Sequence, residues 1–407
     1  MTTNTSGGED EMSATVANTP FFPAATIGDA STSQYYQPEL DWLRFIAFLA
    51  VFASHAYFRP DSPLPSWTAP YPVEGLLMPF VRAGGYGVDL FFALSAFLIT
   101  KLLLLERERT GRIHVSQFYL RRILRIWPLF FTSVLAMYLI DRFVRNLPTG
   151  YYGALAVFVG NWFAVYNTTA LRTLALPMWS VCIEEQFYIL WPHLVRWTNP
   201  IRFVMLMGAL LTFSVLYRTM YVMGLPPHAD SVWMNTLTRL DPFALGGLLA
   251  IVLHKRDIVR NRIQRALILA ASIGLFWFLG NHIIWIGTEP ASIWSSPISY
   301  LLAAMGSVLL LTVFVTLPPR SSYPPYLNLL SYLGKISYGL YVFHYPSLYL
   351  TDYFVSDAVS SGPLAFCLNA GTGGLLTFML AAASYKWLEK PFLKLKRRFT
   401  YVDSRPE

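Results

Sequence analysis

Two residues in the first apolar stretch of the chain have a spacing that suits proton-transfer chemistry. Arg44 and His55 are eleven residues apart. At about 100° per residue they return to within about 20° of one helical face, roughly 16 Å apart along the axis. An imidazole can take a proton near neutral pH, and a histidine hydrogen-bonded between helices would show the same spacing; both readings stand. Farther along, Asp89 and Ser95 lie in Gly87-Val88-Asp89-Leu90-Phe91-Phe92-Ala93-Leu94-Ser95. There Asp89 is a buried charge in need of a partner, and the small residues permit close helix approach. Arg122 and Arg125 share a helical face at an apolar boundary, where they could clamp phosphate or mark the cytoplasmic side and touch lipid headgroups. Glu184 and Glu185 interrupt an aromatic-rich apolar run. Glu184, Tyr188 and Trp191 fall on one face, which turns Glu184 inward toward Arg44 or another buried cation, as a functional group or a structural ion pair. His344 is a second histidine at membrane depth. His193, His254 and His282 lie near block edges, where snorkelling accounts for them.

The elements that must hold these side chains are apolar blocks. Of 407 residues, 55% are hydrophobic and 13% charged, against about 25% charged in an ordinary soluble domain. This excludes a soluble enzyme, a disordered protein and a disulfide-rich module, and predicts an all-α, polytopic transmembrane helical bundle. Eleven candidate blocks run between residues 41 and 385, with basic loops at 107–125 and 255–265 and a basic tail. If all three basic segments are cytoplasmic, five blocks between the first two are one too many. One block is then re-entrant or interfacial, with 152–168 and 180–197 as the candidates. About ten crossings with both termini cytoplasmic follow.

The net charge is +8, but no basic stripe interleaved with stacking aromatics is present, so nucleic acid is not an expected partner. Cys182 and Cys367 stand far apart without a CxxC pattern, and neither a disulfide framework nor a metal site is expected. No cleaved signal peptide is read. Residues 1–38 read as a disordered leader, 39–398 as the membrane-embedded domain and 399–407 as a short tail. No GxSxG, HExxH, Walker or GxGxxG motif occurs.

Taken in order, these segments resemble the integral-membrane acyltransferase family 3, which includes bacterial polysaccharide O-acetyltransferases. Leu40-Asp41-Trp42-Leu43-Arg44 with His55 is similar to the family's Arg-x10-His signature. Gly87-Val88-Asp89, Phe91-Phe92 and Ser95 resemble its second-helix motif, although Ala96 stands where the family usually has glycine. Arg121-Arg122-Ile123-Leu124-Arg125-Ile126-Trp127-Pro128 matches its arginine motif, and Trp179-Ser180-Val181-Cys182-Ile183-Glu184-Glu185-Gln186-Phe187-Tyr188 its acidic motif. Ser337-Tyr338-Gly339-Leu340-Tyr341-Val342-Phe343-His344 and Glu389-Lys390-Pro391-Phe392 complete the set.

The resemblance implies transfer of an acyl group, acetyl by family frequency, from cytoplasmic acyl-CoA to an acceptor hydroxyl, with no permanently bound cofactor. It implies His55 as general base, Arg44 steering the donor or stabilising the oxyanion, and Arg122 and Arg125 on the CoA phosphates. Glu184, grouped with the catalytic residues, and His344, grouped with the substrate-binding ones, follow as charge partners or acceptor contacts, with Asp89, Ser95 and Tyr188 also on the substrate. The implied acceptor is a sugar hydroxyl on a lipid-linked saccharide or exopolysaccharide, with a macrolide or other secondary metabolite next, and the implied location is a bacterial inner membrane. A flippase for a polar or lipid-linked substrate, and an acyl relay to a separate extracytoplasmic transferase, are the competing readings.

Overall fold

In a computed structural model of the chain the described residues are 35–58, 73–223, 230–254, 256, 258–259, 261–282, 295–318, 323–359 and 363–402. Every regular element among them is helical. In lipid, only a structure that satisfies its own backbone polar groups can cross, and a helix does so within one segment. The main helices are α1 (Pro38–Tyr57), α2 (Gly87–Thr110), α3 (Val115–Phe143), α4 (Gly150–Ala156), α5 (Gly160–Tyr166), α6 (Trp179–Trp197) and α7 (Pro200–Val222). They continue with α8 (Asp241–Val252), α9 (Arg262–His282), α10 (Ser295–Val315), α11 (Pro325–Lys335), α12 (Ser337–Ala358), α13 (Pro363–Ser384) and α14 (Lys390–Lys396).

Among the described residues, six stretches are long and apolar enough to cross a membrane: Met78–Thr110, Val115–Phe143, Pro200–Tyr221, Arg262–His282, Pro297–Val315 and Leu364–Phe399. The chain is a multi-pass integral membrane protein. Helices α1, α6 and α12 have 20, 19 and 22 residues but carry more polar side chains. Block 152–168 forms two helices of seven residues each, α4 and α5. Each rises only about 10 Å, and Phe158 between them adopts a left-handed backbone, φ 56°.

Helix α2 runs through the middle of the bundle, with Ala93, Ala96 and Phe97 fully buried. Two glycines set its neighbours' distance. A Cβ on Gly246 of α8 would lie 2.3 Å from the Ala93 carbonyl oxygen, and one on Gly87 would lie 2.5 Å from that of Ala47 on α1. Close approach to α2 is therefore kept despite Ala96, because Gly246 supplies it from the facing helix.

The basic segments meet on one end of the bundle. Arg121 donates to the Phe399 carbonyl at 2.8 Å and Arg109 to that of Tyr401 at 3.1 Å, so the tail lies over the first basic stretch. His254, at the start of the second, is 3.1 Å from Glu108. Lys255 and Arg260 lie outside the described residues, as do residues 1–34 of the expected leader; Tyr35, Tyr36 and Gln37 line a cavity described below.

Candidate active site

The site begins at the N-terminal half of α1, which α11 holds in place. Trp42 Nε1 donates to Ser331 Oγ at 2.8 Å and to the Leu327 carbonyl at 3.1 Å. With α1 fixed there, Arg44 bonds the buried Asp41 one turn back at 2.5 Å, and the Tyr36 hydroxyl donates to the same carboxylate at 3.2 Å. Asp41 thereby orients Arg44 and offsets part of its charge.

Arg44 lines a cavity of about 140 Å³ together with Ser95, Arg122, Arg125, Glu184 and Tyr188. Six of the nine residues singled out from sequence are thus brought together by α1, α2, α3 and α6. Glu184 does point inward, but it accepts from Ser95 Oγ at 2.9 Å and not from Arg44. The Tyr188 hydroxyl approaches the same Ser95 oxygen at 3.4 Å, and Trp191, one turn on, donates to Thr100 at 2.8 Å. The expected face of α6 is the observed one.

Three guanidinium groups against the carboxylates of Asp41 and Glu184 leave the cavity positive, which suits an anionic ligand. Arg122 lies over the rings of Phe118 and Tyr188, 5.3 Å from each centroid. Its Nε is buried without a hydrogen-bond partner among the described residues. A buried donor left in this way is costly until a ligand accepts from it, and a phosphate oxygen would do so. An adjoining pocket of about 50 Å³ shares Arg122 and Arg125 and adds Arg121 and Lys396 from beneath the tail. Arg121 itself is paired with Glu106 at 2.7 Å.

The two histidines stand just beyond this cavity. His55 Nδ1 and His344 Nε2 are 2.8 Å apart, and the rings stack with centroids 5.1 Å apart. His344, fully buried, also has Nδ1 at 2.5 Å from the Tyr341 carbonyl. A carbonyl only accepts, so His344 Nδ1 carries the hydrogen. With both imidazoles neutral, this network has His344 accept at Nε2 from His55 Nδ1–H and puts the lone pair of His55 on Nε2. A base held by a second group in one tautomer is the arrangement general-base catalysis requires. Tyr341 connects the two: it lines the cavity, and its ring centroid is 5.4 Å from that of His344. Its hydroxyl is fixed by Ser180 Oγ at 2.6 Å and the Pro177 carbonyl at 3.1 Å.

Asp89 is not among the cavity-lining residues. Arg239 donates to it at 2.8 Å, with both side chains essentially unexposed. Arg239 lies 4.4 Å from the Trp233 ring and 4.9 Å from that of Tyr300, and a second buried pair, Arg218–Asp241, also meets the Tyr300 ring. Arg218, Arg239 and Asp241 escaped the sequence reading although each is a charge within or beside an apolar block, the signal that found Asp89. Tyr341 and Ser180 carried no such signal, being ordinary residues of apolar helices.

A family model described as an acyltransferase domain matches residues 37–385. The peptidoglycan O-acetyltransferase OatA of Listeria monocytogenes is 27% identical, over 89% of this chain and 56% of its own length. The O-acetyltransferase OatA of Staphylococcus aureus is 26% identical, over 89% of this chain and 58% of its own. The chain therefore spans a little over half the length of these relatives. No solved structure matches it. The family match spans all nine residues singled out above, and the chain belongs to this family of membrane acyltransferases.

Proposed function

We propose that the chain transfers an acyl group, acetyl in the first instance, from cytoplasmic acyl-CoA to a hydroxyl of a carbohydrate-type acceptor. The observation that carries this reading is the His55–His344 hydrogen bond one ring beyond an arginine-lined cavity. In the reaction, His55 Nε2 takes the acceptor's hydroxyl proton as the oxygen attacks the thioester carbonyl. The tetrahedral intermediate collapses with loss of the CoA thiolate, which takes the proton back from the imidazolium. The products are the O-acyl acceptor and CoA thiol.

Arg122 and Arg125, with Lys396 beside them, would hold the donor's phosphates, and the pantetheine arm would run up the cavity past Ser95 and Glu184. Arg44 is about 16 Å along α1 from His55. It cannot reach the carbonyl that His55 serves, which favours donor steering over oxyanion stabilisation. His344 acts on His55 as a positioning residue. Ser95, Glu184 and Tyr188 form a polar wall along the donor's path. Asp89 belongs to the scaffold. The names of the relatives, O-acetyltransferases of which one acts on peptidoglycan, support a surface saccharide as acceptor and a bacterial plasma membrane as location.

Ten crossings fit this reading: the six apolar stretches together with α1, α6, α8 and α12, while α4 and α5 remain on the far side. This order returns both basic loops, the tail and the chain termini to the cytoplasmic face, in keeping with the contacts of Arg121, Arg109 and Glu108.

A second reading, acyl relay to a separate extracytoplasmic transferase, is favoured by the length of the relatives, which extends well beyond the matched part. The deciding experiment gives purified protein acetyl-CoA and a lipid-linked saccharide, and follows thiol release and the acceptor's mass together. Coupled gain of one acetyl group supports direct transfer. Thiol release with acetylation only when a second transferase is added supports relay. Substrate translocation without thiol release overturns both.

A further inference from the structure

A second cavity lies on the opposite end of α3 from the arginine motif. It is a groove of about 1060 Å³ between α3, α12 and α13. Its walls include Ile140, Leu350, Phe354 and Leu380, all exposed apolar side chains that would face acyl chains of the bilayer. Such a groove accepts a long apolar chain, and three further observations say what that chain carries.

First, the rim is basic. Arg145 and Arg172 both line it. Arg145 is held by Asp141 at 2.7 Å and by the Tyr349 ring at 4.1 Å, and it donates to the Arg172 carbonyl at 3.0 Å. Its charge is largely offset. The exposed Arg172 guanidinium has no ion-pair partner among the described residues. The rim therefore carries a net positive charge, with Arg145 held in place beside the exposed Arg172. Second, the Ser347 hydroxyl lines the groove, is 1% exposed, and has no hydrogen-bond partner among the described residues. A buried hydroxyl in an apolar wall is costly unless a ligand satisfies it. Third, the groove runs beside the histidine pair. Phe343 and Pro346, which flank His344 in sequence, both line it, and Ser347 is one turn along α12 from His344.

We propose that this groove binds the acceptor through its lipid carrier: a long single-chain lipid bearing a phosphate at Arg172 and Arg145 and a polar group within reach of Ser347. The inference rests on the acyl transfer proposed above. It adds that the acceptor enters sideways from the membrane, on the side opposite the donor. A bulk phospholipid, which has two chains and no group to deliver to His55, is the alternative occupant.

The test uses the purified full chain in nanodiscs and native mass spectrometry or tryptophan quenching. The probes are a long-chain isoprenyl monophosphate, the uncharged isoprenol and phosphatidylglycerol. The isoprenyl phosphate should bind in preference to both others. Arg172→Gln should weaken it roughly tenfold, the loss expected for one charge-assisted hydrogen bond. Leu376→Trp, which fills the groove, should abolish binding, and both variants should bind acyl-CoA as the unmodified protein does, showing that they fold. Equal binding of phosphatidylglycerol or of isoprenol, or no loss in either variant, overturns the proposal. Because these readouts need no turnover, the two ideas fail separately. Isoprenyl phosphate binding without acyl transfer to any acceptor would sink the transferase reading alone. Acyl transfer with groove variants that bind normally would sink the groove alone.

Discussion

His55 on α1 and His344 on α12 are 289 positions apart in the chain and 2.8 Å apart in the fold. With both imidazoles neutral, the hydrogen bond, together with the contact of His344 Nδ1 to the Tyr341 carbonyl, leaves Nε2 of His55 to accept a proton. On the proposed mechanism, removing the His55 imidazole while leaving the arginine-lined cavity intact should separate chemistry from binding. In His55→Ala, acyl transfer should fall by roughly 10²- to 10⁴-fold, with acyl-CoA affinity unchanged. Residual transfer close to that of the unmodified protein, measured in purified membranes, would remove His55 from the mechanism.

If His344 acts through His55, as proposed, its loss should cost orientation and not the base itself. His344→Ala should lower kcat on the order of tenfold to a hundredfold while leaving KM for acyl-CoA alone. His344→Gln, whose amide can accept from His55 and donate to the carbonyl, should restore part of the rate. A parallel fall in thermal stability and rate, with no rescue by glutamine, would assign His344 to packing.

Arg122 carries a buried Nε with no partner among the described residues and stands at the junction of the two arginine-lined pockets. Arg122→Gln should raise KM for acyl-CoA by roughly tenfold or more, the loss of about 1.5–3 kcal/mol from a charge-assisted hydrogen bond. Arg122→Lys should recover only part, since an ammonium keeps the charge but not the planar fork. Steady-state kinetics with varied donor would check this, and an unchanged KM in Arg122→Gln would end the phosphate-clamp role.

What could be read from residues alone divides along physical lines. Helical periodicity put Glu184, Tyr188 and Trp191 on one face, and the face is observed, because local geometry alone determines it. Block length likewise gave the helical bundle. Partner choice is different in kind. Asp89 was recognised as a charge in need of compensation, yet Arg239 lies 150 positions away and only packing brings it near. Glu184 found Ser95 in place of Arg44, whose own carboxylate was one turn away at Asp41. The seven-residue helices α4 and α5 were visible only as one short block, since their break falls at Val157-Phe158-Val159, without glycine or proline. Tyr341 could not be singled out at all: its place between the cavity wall and His344 is a property of the fold.

The Asp89–Arg239 pair should behave as scaffold. Breaking one side of a buried ion pair leaves an uncompensated charge and costs about 3–5 kcal/mol. Asp89→Leu should therefore lower the melting temperature and yield of the purified protein, while the folded fraction keeps its KM for acyl-CoA. Adding Arg239→Met should restore much of the stability, because both charges are then gone. If the double variant is stable but loses acceptor binding, Asp89 contacts substrate after all.

Tyr341 lines the arginine-lined cavity and meets the His344 ring, and its hydroxyl is tied to Ser180 and the Pro177 carbonyl. A thioester that reaches a base before the acceptor arrives would be lost to water, so a ring standing between them protects the donor. Tyr341→Phe keeps the ring and removes both hydrogen bonds; Tyr341→Ala removes the partition. Thiol release from acetyl-CoA without acceptor should rise several-fold in the alanine variant and much less in the phenylalanine one. Transfer with acceptor should fall in the alanine variant as donor is diverted to hydrolysis. Adding His55→Ala to Tyr341→Ala should suppress the uncoupled release, because the same imidazole would activate the water. If release stays at the background level in Tyr341→Ala, the ring is wall and not partition, and the donor reaches His55 by another path.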